Sequence, residues 1–332
     1  TQDEGWVRAA LDTYGIPYTY FGDIELRTGN LRQKYDVIIF PHVGGTVQSM
    51  VNGIAKTGAA PLPYRKTAEF QSFGTPDASD DIRGGMGLEG VKNLYEFVEQ
   101  GGTLIVEGST ATIFPSYNLT PGVTIEEPDS LFARGSIMRG VIADMKSPIV
   151  YGYGRDQVPV YFNQGPVIRV QNGPPGFAGF GQRGAVSGQD VTPMATPMEL
   201  SPWNPDAEPA ARDSSRRRGG AALGGERGRA AAGGDAGSEG PRVILRFPRR
   251  PADMLLSGVL SGGAALSDRA QVVDEPVGKG HVVMFAIRPF WRWQTQGTFT
   301  LGFNTILNWN DLDAGRTAGP VRAQVSGGNG GH

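Results

Sequence analysis

Residues 88–107 read Leu88-Glu89-Gly90-Val91-Lys92-Asn93-Leu94-Tyr95-Glu96-Phe97-Val98-Glu99-Gln100-Gly101-Gly102-Thr103-Leu104-Ile105-Val106-Glu107. Leu88, Val91, Leu94, Tyr95 and Val98 recur at helical spacing, so Leu88 to Gln100 predicts an amphipathic helix. Gly101-Gly102 ends it. Thr103 to Glu107 is then too short and too apolar for anything but a buried strand. Helix followed at once by buried strand is the repeating unit of a doubly wound α/β sheet.

The same pattern extends in both directions. Tyr35-Asp36-Val37-Ile38-Ile39-Phe40-Pro41 is an unbroken apolar run rich in β-branched residues, which predicts a strand buried on both faces. Upstream, Asp3 and Glu4 suit a helix N-terminus, and Trp6, Val7, Ala10, Leu11 and Tyr14 form its apolar stripe before Gly15. Pro17 to Phe21 reads as a short strand. Val43 to Gly87 is broken by Gly, Pro, Ser and Asp clusters and predicts a surface excursion. Downstream, Pro148–Tyr153 and Val158–Val170 read as two strands joined at Gly154-Arg155-Asp156, an antiparallel extension. Regular structure resumes at Pro241 to Phe247, Gly278 to Ile287 is the last strong strand, Met254 to Leu260 reads as a helix or turn, and Phe299 to Leu312 as a closing helix.

Between these blocks the composition changes. From Asn204 to Gly240 the only large apolar residue is Leu223, and six arginines are balanced by six acids among Gly and Ala. Burial cannot offset the ordering entropy of such a segment, so it predicts disorder in isolation. The organisation expected is one α/β domain in two parts, 1–171 and 241–313, around a Gly/Pro/Arg-rich insertion at 172–240, with a Gly-rich tail from 314 to 332.

Whole-chain quantities exclude several function classes. Lys+Arg 31 against Asp+Glu 33 leaves a net charge of -2, which gives no electrostatic basis for binding nucleic acid or an anionic membrane. The Arg216-Arg217-Arg218 and Arg227-Gly228-Arg229 runs are cancelled by neighbouring acids. No run approaches the roughly 18 to 20 apolar residues that span a bilayer. With Cys at 0 there is no disulfide, thiolate metal site or cysteine nucleophile. The start, Thr1-Gln2-Asp3-Glu4, has neither Met nor a signal pattern and reads as a processed piece of a longer precursor. Asn118-Leu119-Thr120 fits the short N-glycosylation acceptor pattern.

Asp3-Glu4-Gly5-Trp6, Gly29-Asn30-Leu31-Arg32 ahead of Tyr35–Pro41, and above all Gly278-Lys279-Gly280-His281 through Arg288-Pro289-Phe290-Trp291-Arg292-Trp293-Gln294-Thr295 to Leu307-Asn308-Trp309 resemble the C-terminal region of large secreted bacterial zinc carboxypeptidases. In that family a metallopeptidase domain precedes a class I glutamine-amidotransferase-like domain, and this chain looks like the second domain alone. The resemblance implies a flavodoxin-like, mostly parallel sheet and a secreted, extracellular or periplasmic setting. It also implies that a strand lies ahead of the first helix in the sheet interior. This chain begins at that helix, so an open slot is expected, filled by Val321 to Val325 of the tail or by another subunit.

The family's chemistry does not transfer. Its peptidase site resembles His-x-x-Glu with a distant His, and this chain has only His42, His281 and His332, with Val43, Gly44 and Gly45 after the first. No metal and no cofactor is expected. Amidotransferases carry a Cys on the turn after a central strand and a His and Glu after a later one. Here those positions read Gly108-Ser109-Thr110 and Arg288-Pro289-Phe290. Ser109 with His42 or His281 as base is the residual catalytic candidate, against its reading as a turn hydroxyl. Arg288, Trp291, Arg292, Trp293 and Gln294 are the binding or interface candidates, suited to cation–π stacking on a sugar or peptide or to covering the sheet end.

The function expected is therefore a non-catalytic structural or assembly domain that forms homo-oligomers or polymers. The alternatives are an accessory domain of an active zinc carboxypeptidase, partnered by its cleaved N-terminal peptidase domain, and a carbohydrate- or peptide-binding module.

Overall fold

The computed structural model describes residues 1–58, 60–75, 77–171 and 240–316. The Arg216–Arg218 and Arg227–Arg229 runs, His332 and the tail segment Val321 to Val325 lie outside them, as does the Asn204 to Gly240 segment apart from Gly240 itself.

The chain opens with α1 (Gln2–Thr13), capped by Thr1 Oγ1, which accepts from the Glu4 N–H at 3.3 Å, with Asp3 and Glu4 in its first turn. Next come α2 (Asp23–Thr28), β1 (Val37–Phe40), α3 (Val47–Asn52) and α4 (Gly87–Glu99). β2 (Thr103–Glu107) matches the strand read from the sequence residue for residue. It is followed by α5 (Ile113–Ser116), β3 (Val123–Glu126), β4 (Ser136–Ile142), β5 (Gln157–Phe162) and β6 (Val167–Val170). After the long insertion come β7 (Arg242–Arg246), β8 (Leu255–Ser257), β9 (Ala270–Val277), β10 (Gly280–Phe285) and α6 (Phe299–Leu307).

These strands form one mixed sheet flanked by helices, an α/β fold. Its spine runs β1-β2-β10-β9-β7-β4-β5; β8 pairs with β4, and a β3–β6 ribbon joins at Ile168↔Ala270. β1, β2 and β10 are mutually parallel. Every other pairing among the described residues is antiparallel. The mostly parallel sheet expected from the sequence thus holds for this three-strand block and gives way to an antiparallel field from β9 onward.

Alternation in the block explains its unbroken apolar sequence. Ile105, Val283 and Phe285 enter one core cluster, while Leu104, Val106, Val282 and Met284 enter the other across the sheet. The β9–β10 turn needs its glycines. Gly278 has φ +61°, and a Cβ on Gly280 would lie 2.2 Å from the Gly102 carbonyl oxygen.

Several expectations are corrected. Pro17 to Phe21 is in no strand, because no described segment pairs with it. β1 lies at the sheet edge, so only Ile38 of its four residues is buried. Leu88, placed on the apolar stripe of its helix, is 65% exposed. Pro148–Tyr153 is not a strand: Pro148–Val150 forms a 3-10 turn capped by Ser147, and the partner of β5 is β4. The stretch Val158–Val170 is split between β5 and β6. Leu255–Ser257 is a short strand rather than a helix, and β9 was not read at all.

The two ends of the long insertion lie close together. Gln171 N–H donates to the Gly122 carbonyl at 2.8 Å, and Pro241 packs against the same glycine. Within the antiparallel field, fully buried Phe162 and Phe247 meet edge to face with centroids 5.0 Å apart. Phe247→Ala is expected to cost about 3–5 kcal/mol. A urea melt should show a lowered midpoint with an unchanged slope.

Candidate functional site

Three connections leave the carboxyl ends of β1, β2 and β10 side by side, the place where ligands of open α/β sheets gather. They carry His42, then Glu107 and Ser109, then Arg288. The first turn of α1 adds Asp3. The sequence named Ser109, His42 and Arg288 as candidates, and the fold brings these three together.

Arg288 is the centre of the cluster. It is only 8% exposed; Nη1 is 3.3 Å from Asp3 Oδ1 and Nη2 is 2.9 Å from His42 Nε2. The other ring nitrogen of His42, Nδ1, accepts from the backbone N–H of Ser109 at 2.9 Å. A donor therefore faces each ring nitrogen, and a neutral imidazole can accept at only one. The neutral ring thus already turns one N–H toward a donor, and protonation would do so at both nitrogens. Burial, aided by the Arg288 charge, accordingly pushes the His42 pKa down to about 4.

Ser109 is equally occupied. Its Oγ accepts from Gly44 N–H at 2.9 Å and from Val43 N–H at 3.3 Å. Gly44 and Gly45, with φ of +90° and +85°, give the loop the turn that aims these amides. The pair has the form of an oxyanion hole, and the serine's own oxygen fills it. Gly108 is required here by contact, since a Cβ would stand 2.6 Å from His42 Nδ1.

Two members were not singled out from the sequence. Asp3 was read as a helix-start acid, yet it is 7% exposed and bound to Arg288. Burial raises its pKa despite that cation. Glu107 was read only as the end of a strand. It is 1% exposed, caps the following turn by accepting from the Thr110 N–H, and leaves Oε1 without a hydrogen bond. Burial, reinforced by the Asp3 charge, pushes its pKa up to about 8. A carboxylate closing an otherwise apolar strand was the available signal.

His281 stands at the opposite end of the sheet. It is in register with Thr103 at the start of β2, whereas Ser109 follows the end of that strand, so the two do not meet. Its Nδ1 lies 2.7 Å from Asp274 Oδ1, and Arg316 holds the same carboxylate at 2.8 Å. This network fastens the last described residues to β9. Among the described residues no group of three or more His, Cys, Asp or Glu side chains is placed to hold a metal. Nor is any helix among them long and apolar enough to cross a membrane.

The aromatic cluster divides. Trp291 stacks on Tyr161 with ring centroids 5.6 Å apart, and the guanidinium groups of Arg288 and Arg292 lie 5.3 and 5.4 Å from its centre. Trp293 turns inward onto Phe299. Arg292 and Gln294 are exposed. Arg292 and Trp293 both take positive φ, 51° and 59°, a conformation that non-glycine residues rarely adopt twice in succession.

A second feature adjoins this cluster, a groove of about 740 Å³ along the free edge of β1. Val37–Pro41 and Ile16–Phe21 both line it. Apolar side chains from α1, α2, α4 and α6 line it, and Thr1 closes it near His42.

No family model matches the sequence, and no curated protein matches it. Solved structures give distant likenesses. A cytoplasmic protein of Salmonella typhimurium is 11% identical over 91% of this chain and 85% of its own, with a TM-score of 0.42. One from Salmonella typhimurium LT2 is 11% identical over 91% and 86%, with a TM-score of 0.40. A β-galactosidase from Bacillus circulans sp. alkalophilus is 11% identical over 66% of this chain but only 20% of its own length, at 0.30.

The buried titratable groups set a pH dependence whose sign follows from linkage. With its pKa raised from 4.5 to about 8, Glu107 stabilises the fold fully below pH 4.5 and progressively less up to pH 8. Glu275, also raised to about 8 by burial beside Asp274, acts in the same direction. His42, lowered from 6.5 to about 4, works oppositely, but only below pH 6.5. Between pH 6.5 and 8 the carboxyls act alone, each worth at most about 1.4 kcal/mol per pH unit. The melting temperature is therefore expected to fall across that window. Glu107→Gln, which keeps an acceptor for Thr110, should flatten the slope by about half.

Proposed function

We propose that this chain is a non-catalytic α/β module with a flavodoxin-like, amidotransferase-like scaffold, and that it works through protein contacts in a structural or assembly role. One observation carries the reading: Ser109, His42 and Arg288, the three candidates that meet at the carboxyl ends of the parallel strands, are each already engaged by another group. Ser109 Oγ occupies the Val43 and Gly44 amides, His42 is held between the Ser109 N–H and Arg288, and Arg288 is bound to Asp3. Among the described residues no base is hydrogen-bonded to Ser109 Oγ, and a neutral His42 has no free lone pair to take its proton. A secreted setting and an origin beside a carboxypeptidase domain come from the sequence resemblance and belong to the same proposal. The purified chain is expected to show no turnover of activated esters or glutamine amides above buffer. Measurable hydrolysis that disappears in Ser109→Ala would overturn the reading.

A second reading, a sugar- or peptide-binding surface, is favoured by the Tyr161–Trp291 stack with its two flanking guanidinium groups. It moves the expected contact from Trp293, which packs inward, to Trp291. Oligosaccharides titrated into the protein should then quench tryptophan fluorescence, with the response lost in Trp291→Ala and kept in Trp293→Phe.

A further inference from the structure

Two guanidinium groups converge on one indole beside β5, the edge strand opposite β1. Arg288 and Arg292 lie 5.3 and 5.4 Å from the centre of the Trp291 ring, which stacks on Tyr161. Arg288 is buried and bound to Asp3 and His42. Arg292 is exposed, and among the described residues its guanidinium meets no carboxylate and no other hydrogen-bond acceptor. The charges that act on the Tyr161 hydroxyl are accordingly two cations, Arg288 and Arg292, and one anion, Asp3. That hydroxyl makes no hydrogen bond to the described residues either, and the same holds for the exposed carboxamide of Gln294.

The backbone points the same way. Arg292 takes φ +51° and Trp293 φ +59°, left-handed conformations that are costly for residues with a Cβ and that collect at ligand sites. Trp293 offsets its share by packing on Phe299. Arg292 gains only the ring of its neighbour. A guest that pairs with its guanidinium would complete the balance. One cation here lacks a counterion among the described residues, so the guest carries a single negative charge, and a carboxylate matches the planar fork of arginine where a phosphate would bring nearly two charges. The half-buried indole suits the apolar CH face of a sugar ring, and the Tyr161 hydroxyl and Gln294 carboxamide suit its hydroxyl groups. An extended peptide is poorly served. The adjoining edge strand β5 contains Pro159, which has no N–H to offer, and the Tyr161 carbonyl already accepts from the Arg288 N–H at 3.3 Å.

We propose that Trp291, Arg292 and the Tyr161 hydroxyl form a binding site for a uronate-bearing saccharide, with the carboxylate on the Arg292 guanidinium and the sugar ring against Trp291. The proposal rests on the second reading above, a sugar-binding surface, and narrows its ligand to an acidic sugar.

The test titrates the full chain with tetragalacturonate, its neutral methyl ester and tetraglutamate, read by tryptophan fluorescence and calorimetry. Saturable quenching by the uronate is expected, at least tenfold tighter than binding of either control. Arg292→Gln should weaken it tenfold or more. Arg292→Gly should abolish it without lowering the melting temperature, because glycine accepts the left-handed conformation freely. Uronate bound equally well by Arg292→Gln and the unaltered chain would overturn the proposal, and so would tetraglutamate binding as tightly as the uronate, which would make the ligand an acidic peptide. Methyl ester binding as tightly as the uronate, with the response lost in Trp291→Ala, would overturn the acidic ligand and leave the sugar-surface reading standing. Absence of binding by either saccharide would remove both.

Discussion

The buried guanidinium of Arg288 ties together parts of the chain that lie far apart in sequence. It leaves the end of β10, reaches Asp3 at the start of the first helix and His42 after β1, and lies over Trp291 and Tyr161 of the antiparallel field. Removing one partner of such a buried pair leaves the other charge without compensation, typically at a cost of 3–5 kcal/mol. The polar cluster at the sheet end is for this reason a fastening between layers first. Ser109, His42 and Arg288 are engaged with one another or with neighbouring backbone, while Glu107 Oε1 is left without a hydrogen bond.

The parallel block was legible in the sequence because its physics is local and repetitive. β2 and β10 are buried on both faces, so their residues are apolar without interruption, and the glycines around them are demanded by close backbone approach at Gly280 and Gly102. The antiparallel field was less legible. β9 carries Gln271, Asp274, Glu275 and Pro276 along a buried strand, and what holds a charge such as Asp274 there, its contacts with His281 and Arg316, is invisible in the sequence. Pro148–Tyr153 shows the reverse error. An apolar run was read as a strand, but Ser147 caps a turn that buries Ile149 and Val150 without a ladder.

The site was half legible. Ser109, His42 and Arg288 could be named by their positions at strand ends, but what they do to one another could not. Whether a serine beside a histidine is a nucleophile depends on which of its atoms the imidazole meets, and here that atom is the backbone nitrogen. Glu107 and Asp3 were hidden by more ordinary roles, strand terminus and first-turn acid of a helix, which they also perform.

The neighbouring placement of Gln171 and Pro241 at Gly122 makes the sheet nearly indifferent to what connects them. Closing a flexible loop between adjacent anchors costs only about 0.6 kcal/mol more for each doubling of its length. The polypeptide between these anchors can be lengthened, shortened or exchanged for a foreign domain at little thermodynamic expense. New chain ends opened there would leave every strand pairing described above intact.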